Sequence, residues 1–278
     1  MRAGFIGAGK VGFTLGKYLA MHGIEISGYY SRTPASAKEA AEFTQSRYYT
    51  SIEEITKDSD TLFLTVPDGT IGEIWDDMRN LPIKNKNICH CSGSIPSTVF
   101  FDAENRGAYR YSIHPLYAIS SKTTSYLDLG KACFTIEGSD AHLAELKALF
   151  SEMGNTVVAI SPDSKALYHA AAVMVSNQIV ALADMGTVLL VKCGFSEAAA
   201  AEALSPLLLV NALTGPIERG DAQTVSKHLQ EIRKFAAEST VGQDILTAYT
   251  ALSKQLIRIA QQKHPQKDYK HLEKELEQ

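Results

Sequence analysis

The chain has 278 residues, of which 45% are hydrophobic and 21% are charged, and it carries a formal net charge of −4. This composition is typical of a globular protein of one or two domains, and it provides no basic surface for nucleic acid or an anionic membrane. We therefore expect neither as a partner. We also expect a cytoplasmic location, because the first predicted strand begins too early to leave room for a signal peptide.

A glycine-rich turn follows the first predicted strand directly, within residues 4–12. In such a turn Gly7 allows a tight bend, Gly9 allows backbone N–H groups to approach a pyrophosphate, and Gly12 allows the next helix to pack closely on the sheet. The start of that helix would offer further N–H donors to phosphates. The residues predicted to bind a dinucleotide here are Gly7, Ala8, Gly9, Lys10, Val11 and Gly12.

The second predicted strand, residues 24–30, is followed by Ser31, Arg32 and Thr33. An NAD-selective site would place a carboxylate here for the ribose 2′-hydroxyl, whereas a guanidinium beside two hydroxyls suits a 2′-phosphate. These three residues therefore favour NADP, and NAD is the less favoured cofactor. Arg32 is alternatively a solvated loop residue, with Thr33 and Pro34 starting a helix, and both interpretations can hold together.

Three further predicted strands, residues 61–66, 87–91 and 108–113, end in short segments rich in small or polar residues. Ligands bind beyond the carboxyl ends of strands in open parallel sheets. His114, at the end of the third strand beside a proline that would fix a turn, is either a proton carrier or a structural residue. The residues predicted to contact cofactor at these ends are Val66, Pro67, Asp68 and Ser92, and the one predicted to contact substrate is Ser94.

Strands and helices continue to alternate up to a strand at 156–160, which predicts a doubly wound, mostly parallel α/β sheet over residues 1–160. From Ser161 the pattern is helical, and it predicts an all-α domain over residues 161–278. Its first helix, at 161–193, would be about 50 Å long. Later helices are predicted at 196–213, 221–237 and 241–262, with a frayed helix or a disordered tail after 262.

The first helix of this domain carries a polar stripe that includes Lys165, His169 and Asn177. A buried lysine or histidine needs hydrogen-bond partners, so the stripe is expected to face a cleft, a cofactor or a polar network. Alternatively, Lys165 and His169 lie in exposed first turns and Asn177 caps a contact between helices. Further along, Arg219 could bind a substrate carboxylate, and Asp221 is favoured as a helix cap.

The segment Cys89-His90-Cys91 contains metal-ligand residue types. It lies in a predicted strand, and no second pair of ligands has a suitable spacing. We therefore expect no metal site.

Five motifs together resemble a group of Rossmann-like proteins that carry a C-terminal helical domain of unknown function. This group is similar to prephenate dehydrogenase, pyrroline-5-carboxylate reductase and the beta-hydroxyacid dehydrogenases, and its helical domain resembles the C-terminal domain of 6-phosphogluconate dehydrogenase. The motifs are the turn at residues 7–12, Val66-Pro67-Asp68, His114-Pro115-Leu116, residues 168–172 with Ser176-Asn177, and residues 215–221.

The resemblance implies an N-terminal NADP-binding Rossmann domain, a helical domain for substrate binding and homodimerisation, and a substrate pocket in the cleft between them. It implies that His114 is catalytic, as in prephenate dehydrogenase. It also implies that Lys165 is a proton donor and Asn177 a substrate-positioning amide, as in the beta-hydroxyacid dehydrogenases. His169 is a further candidate for proton exchange, and Arg219 for orienting the substrate.

The predicted function is an NADP-dependent oxidoreductase that transfers hydride between NADP(H) and a small carboxylate-bearing substrate. One alternative is a non-catalytic NADP(H) sensor or regulatory protein, since a binding turn needs the same glycines in either case. A purely structural dimer scaffold, without nucleotide affinity, is the third interpretation.

Overall fold

The computed structural model describes residues 1–192, 194–205, 215–238 and 240–277. The chain divides into two compact units, Met1–Lys165 and Ala166–Gln278. Each unit has its own hydrophobic core.

The first unit is built on one eight-stranded sheet. Its strands are β1 (Arg2–Ile6), β2 (Glu25–Tyr30), β3 (Arg47–Tyr48), β4 (Thr61–Leu64), β5 (Asn87–His90), β6 (Tyr109–Leu116), β7 (Cys133–Gly138) and β8 (Thr156–Ala159). They are ordered β3-β2-β1-β4-β5-β6-β7-β8, and all neighbours are parallel except β6 and β7. The predicted doubly wound, mostly parallel sheet is confirmed.

Helices cover the sheet and close a core on each of its faces. Successive side chains of a strand point to opposite faces, so Phe63 of β4 packs in one core, whereas Leu62 and Leu64 pack in the other. Burial on both faces explains why this strand is a continuous apolar run. The helices of the first unit are α1 (Lys10–Met21), α2 (Pro34–Thr44), α3 (Ile52–Asp58), α4 (Asp68–Met78) and α5 (Leu143–Glu152).

Strand β6 is longer than the sequence predicts. We expected it to end at residue 113 with His114 in a turn, and that expectation is wrong, because His114 lies opposite Thr135 and Pro115 opposite Phe134 in the ladder with β7. The pairing with β5 stops at Ser112, so the last four residues of β6 have β7 as their one neighbouring strand. Proline is tolerated in such an edge-like position.

The second unit is helical throughout its described residues, as predicted. Its α6 (Lys165–Ser176) begins with the last residue of the first unit. The other helices are α7 (Gln178–Lys192), α8 (Glu197–Leu204), α9 (Pro216–Arg219), α10 (Ala222–Glu238), α11 (Thr240–Lys263) and α12 (Lys270–Glu277). Within the described ranges, none of the helices is both long and apolar enough to span a bilayer.

Two helix predictions need correction, and one falls partly outside the described residues. The single helix expected at 161–193 is instead a 3-10 turn at Pro162–Ser164 followed by α6 and α7, which are separated at Asn177. The charged tail is not frayed or disordered, because α12 buries Leu272 and Leu276, which share a helix face. Of the helix predicted at 196–213, residues 206–213 lie outside the described residues, as does Cys193.

Candidate functional site

The turn between β1 and α1 has the three local geometries that a dinucleotide-binding turn requires. Gly7 has φ +111°, and a Cβ there would lie 2.6 Å from the carbonyl oxygen of Thr65. A Cβ on Gly12 would lie 2.5 Å from the carbonyl oxygen of Gly7. By contrast, a Cβ on Gly9 would meet no atom within 4 Å. The turn is therefore tightly packed at Gly7 and Gly12 and open at Gly9.

The open side of the turn lies at the start of α1, where Gly9 is the N-cap residue and supplies no side-chain hydrogen bond. The first N–H groups of a helix lack partners within the helix. Those of Lys10, Val11 and Gly12 are consequently placed to receive an anionic oxygen. The geometry thus fits the pyrophosphate of a dinucleotide.

The segment after β2 lies at the same edge of the sheet as the glycine turn, since the Gly7 N–H donates to the Tyr30 carbonyl at 2.8 Å. Arg32 is exposed, and within the described ranges no ion pair engages it. Thr33 is the N-cap of α2 with Pro34 at its first position, although the threonine side chain makes no capping bond. The predicted helix start is therefore present beside an exposed guanidinium.

Two serines after β5 hold the carboxylate of Asp68, the first residue of α4. The Ser92 and Ser94 hydroxyls each donate to Asp68 Oδ2 at 3.0 Å, and the N–H groups of Ser94 and Ile95 donate to Ser92 Oγ. Both serines are buried. The carboxyl ends of β4 and β5 are thus joined by one hydrogen-bonded cluster, which brings together three residues that the sequence assigned to cofactor or substrate.

Lys165 belongs to the same region of the first unit. Its Nζ donates to the Ser92 carbonyl and to Ser112 Oγ, both at 2.7 Å, and only 1% of the residue is exposed. The alternative that Lys165 lies in an exposed first turn is therefore wrong. Burial lowers the pKa of the Lys165 amine to about 8, against opposing effects of Glu137, Cys91 and Asp68. The amine can consequently gain or lose a proton close to neutral pH.

Glu137 is a buried carboxylate of this region that sequence reasoning missed. It lies opposite Ser112 in the β6–β7 ladder, and paired residues of antiparallel strands project to the same face. Its two oxygens accept from the Ser97 N–H at 2.7 Å and from Ser97 Oγ at 2.6 Å. The signal in the sequence was one charged residue inside an otherwise uncharged strand. Its negative charge favours the protonated form of Lys165.

His90, which the sequence indicated only as a metal-ligand residue type, acts in the same region as a buried hydrogen-bond acceptor. Burial, together with the positive charge of Lys165, lowers the pKa of His90 to about 3, so the imidazole is neutral at ordinary pH. Its Nδ1 accepts from the Ser92 N–H at 3.2 Å. His90 therefore orients the segment that contacts Lys165.

The buried amine should make stability depend on pH. Lys165 is protonated in both states below pH about 8, and its burial then destabilises the fold, whereas the unfolded chain keeps the usual pKa of 10.5. Between pH 8 and pH 10.5 the unfolded state binds more protons than the folded state, so the free energy of unfolding rises with pH. Relative to Lys165→Met, the wild type should gain about 3 kcal/mol from pH 8 to 10.5, measured by urea unfolding. Parallel curves for the two proteins would contradict this.

His114 is related to this region through the strand repeat. It lies two residues after Ser112 on β6, and alternate residues of a strand share a face. His114 is part-exposed. The structure therefore places it on the sheet face that also bears Ser112 and Glu137, within a strand rather than in a turn.

The remaining predicted residues lie in the second unit. Asn177 is buried between α6 and α7, and its Nδ2 donates to Ser176 Oγ at 3.3 Å. A Cβ on Gly215 would lie 2.4 Å from that Nδ2, so a glycine is needed where this amide packs. His169 Nδ1 lies 3.0 Å from His228 Nε2, and the exposed Arg219 ends α9.

Asp221 performs the capping role that was favoured for it. Its carboxylate accepts from the Thr224 N–H at 3.0 Å and from Thr224 Oγ1 at 2.7 Å, at the start of α10. Side chains that accept from the first free N–H groups stabilise a helix.

In the described part of the chain, no group of three or more histidine, cysteine or acidic side chains is arranged to hold a metal ion.

Two family models match the chain. A Rossmann-like domain matches residues 1–115, and a domain of unknown function, DUF2520, matches residues 132–256. The first match lies within the sheet unit, and the second covers β7, α5 and β8 of that unit and most of the helical unit, which together confirm the resemblance drawn from the motifs. No curated protein sequence matches the chain.

Solved structures share the fold over nearly the whole chain. A Bacteroides fragilis protein, provisionally named an NADP oxidoreductase, is 24% identical with a TM-score of 0.63, and the match covers 92% of this chain and 98% of that one. 3-Hydroxyisobutyrate dehydrogenase of Mycobacterium tuberculosis is 14% identical with a TM-score of 0.61, and the match covers 93% of this chain and 99% of that one. 1-Pyrroline-5-carboxylate reductase of Streptococcus pyogenes is 17% identical with a TM-score of 0.57, and the match covers 91% of this chain and 98% of that one. At these identities the likeness establishes the fold.

Proposed function

We propose that the protein is an NADP-dependent oxidoreductase that transfers hydride between NADP(H) and a small carboxylate-bearing substrate. One observation carries the proposal: a glycine turn open at Gly9 and a buried amine, Lys165, lie at the same edge of one sheet. The turn follows β1, and Lys165 contacts the segment that follows β5. Because β1, β4 and β5 are parallel, their carboxyl ends meet at this edge.

The residues that would hold the cofactor come from three segments of the first unit. The N–H groups at the start of α1 would bind the pyrophosphate, and Arg32 with Ser31 and Thr33 would bind the 2′-phosphate. Val66 lies directly against the turn, since a Cβ on Gly7 would be 3.1 Å from Val66 Cγ1. Pro67, Asp68 and Ser92 complete the predicted set. When bound, NADPH supplies the hydride.

The chain itself would supply the proton. The Lys165 amine is held by the Ser92 carbonyl and the Ser112 hydroxyl, and a pKa of about 8 is close to the value that suits proton transfer at neutral pH. His114, on the Ser112 face, is the second candidate. The roles of Ser94, Asn177 and Arg219 in binding the substrate stay predictions from the sequence.

A homodimer through the helical domain, a cytoplasmic location and a substrate bound between the two domains are parts of the same proposal. Each of these three rests on the sequence and its resemblance. The roles proposed for Lys165 and for the glycine turn do not depend on the dimer, the location or the place where the substrate binds.

The proposal is tested by binding and turnover with the same preparation. Calorimetry should show saturable binding of NADPH, and small keto acids or imines should cause oxidation of the bound NADPH. Binding without turnover on any substrate would favour the sensor, because the nucleotide site would then lack chemistry. No affinity for either nucleotide would contradict both functions and leave the structural scaffold.

The preference for NADP predicts a selective effect of Arg32→Ala. Loss of the guanidinium should weaken NADPH binding about 10- to 100-fold, since charge-assisted hydrogen bonds to phosphate are lost, and should leave NADH binding unchanged. Calorimetry with both nucleotides measures this. Arg233→Ala, which removes another exposed arginine on α10, is the control. Equal losses for both nucleotides would remove the assignment of Arg32 to the 2′-phosphate.

A further inference from the structure

Two carboxylates hold the segment 92–97, which follows β5, at its two ends. Asp68 accepts from the hydroxyls of the first two serines of the segment, both at 3.0 Å. Glu137 accepts from the N–H of the last serine, Ser97, at 2.7 Å and from its hydroxyl at 2.6 Å, and only 2% of Glu137 is exposed. Both oxygens of Glu137 therefore act as acceptors, as those of an ionised carboxylate do. The segment is thus fixed to α4 at its start and to β7 at its end.

Lys165 lies against the same segment. Its Nζ donates to the carbonyl of Ser92, the first residue of the segment, and to Ser112 Oγ on β6, both at 2.7 Å. Glu137 lies opposite Ser112 in the β6–β7 ladder, and the Cβ atoms of such a pair are about 5 Å apart. The amine of Lys165 and the carboxylate of Glu137 consequently lie beside one fully buried serine.

Ionisable side chains from four elements of the first unit lie around the Lys165 amine: Asp68 of α4, His90 of β5 and Cys91 after it, His114 of β6, and Glu137 of β7. Burial lowers the pKa of the amine to about 8, and the largest effect opposing burial is that of Glu137. Cys91 and Asp68 follow it.

Near neutral pH, carboxylates supply the negative charge in this group of side chains. The Cys91 thiol is neutral there, because burial raises its pKa to about 12. His90 is neutral as well, because burial lowers its pKa to about 3, and a histidine such as His114 can add only positive charge. A buried carboxylate that lies close to a buried amine stabilises the charged form of that amine.

We propose that Glu137 is a positioning residue of the oxidoreductase, which fixes the segment 92–97 against Lys165 and holds the amine as the ammonium ion. The ammonium ion is the form that can donate a proton to a substrate oxygen or nitrogen. Glu137 acts through Lys165 and does not contact the reacting atoms. The inference rests on the role proposed for Lys165 and adds the residue that sets its protonation state.

The effect of the Glu137 charge is measured by carbon-13 NMR of the protein labelled at lysine, in the absence of nucleotide and substrate. Lys165→Met assigns the Lys165 signal. In Glu137→Gln the amide oxygen can still accept from Ser97 but the charge is lost, so the titration midpoint of Lys165 should fall by about one pH unit. Glu137→Asp keeps the charge and should keep the wild-type midpoint. An unchanged midpoint in Glu137→Gln, or an equal fall in Glu137→Asp, would overturn the proposal.

Glu104→Gln is the matched control, because it makes the same chemical change at another carboxylate bonded to a serine. Glu104 accepts from Ser139 Oγ at 2.6 Å and precedes the amino end of β6. The titration midpoint of Lys165 should be the same in Glu104→Gln as in the wild type. A fall equal to that in Glu137→Gln would contradict a specific role of Glu137.

The pH profile of kcat separates this role from a purely structural one. In Glu137→Gln the fall of kcat at alkaline pH should begin about one pH unit lower than in the wild type, because the amine loses its proton earlier. A purely structural role would lower kcat without moving the profile. If the protein does not bind NADPH or shows no turnover, the proposed function fails, whereas the NMR midpoints still decide whether Glu137 holds the ammonium ion.

A double-mutant cycle on the unfolding equilibrium tests the same coupling through stability. At pH 6, Glu137→Gln should raise the unfolding constant about tenfold more in the wild type than in Lys165→Met, which has no amine to stabilise. Urea unfolding of the four proteins measures this, and equal effects in the two backgrounds would contradict the coupling. If Glu137→Gln does not fold alone, folding of the double variant would show the coupling, and its failure to fold would overturn it.

Discussion

Gly9→Ala should reduce the affinity for NADPH at least tenfold while leaving the stability of the fold unchanged. The backbone at Gly9 has φ −83° and ψ −172°, which alanine adopts without strain, and the added methyl group would meet no protein atom within 4 Å. The methyl would instead occupy the space through which a pyrophosphate approaches the first N–H groups of α1. A tenfold loss corresponds to about 1.4 kcal/mol, which calorimetry resolves.

Two further glycines make this a matched comparison. Gly12→Ala should lower the free energy of unfolding by about 1–3 kcal/mol, because its Cβ would lie 2.5 Å from the Gly7 carbonyl oxygen and 2.7 Å from Thr65 Oγ1. Gly72→Ala, on α4, also adds a methyl to open space and should preserve both binding and fold. If Gly9→Ala binds NADPH like the wild type, the turn does not hold the pyrophosphate.

Lys165→Met should lower kcat about 10²- to 10⁴-fold, the range for loss of a general acid or base, while NADPH still binds. Methionine has a side chain of similar length but no ionisable group that could donate or accept a proton. Steady-state rates and NADPH titration on one preparation separate the two effects. If Lys165 donates its proton during reduction, the wild-type rate should also fall as pH rises past about 8, where the amine loses its charge.

Lys86→Met is the control for burying a methionine in place of a lysine. Lys86 is part-buried and its Nζ donates to the Ser59 carbonyl, but it lies at the amino end of β5, away from the proposed site. Its replacement should leave turnover unchanged. A Lys165→Met protein with wild-type kcat would transfer the proton role to another group, of which His114 is the first to test.

Local patterns predicted the parts of the fold that depend on local chemistry. The spacing of Gly7, Gly9 and Gly12 is needed for a turn whose steric requirements act over a few residues, and the apolar run of β4 reflects cover on both faces of the sheet. The length of β6 was not predictable in this way. Its last four residues are ordered by β7, which runs in the opposite direction and lies about 20 residues later.

In the candidate site too, residues marked by local sequence were predicted, and residues placed by contacts distant in the chain were not. Lys165, Ser92 and Asp68 were identified because lysine and small polar residues stand out at strand and helix ends. Other residues were missed, because Glu137 lies opposite Ser112 through strand register and His228 meets His169 through helix packing. Such pairs lie about 25 to 60 positions apart in the chain, and no periodicity within one element records them.

The position of β1 in the sheet has a consequence for hydrogen exchange. β1 lies between β2 and β4, whereas the outer strands are the two-residue β3 and the largely exposed β8. Backbone amides in outer strands open in small local fluctuations, while those of a strand paired on both sides exchange only in larger unfolding events. The glycine turn is attached to the slow-exchanging part of the sheet, so fraying at either outer strand leaves the N–H groups at the start of α1 in place.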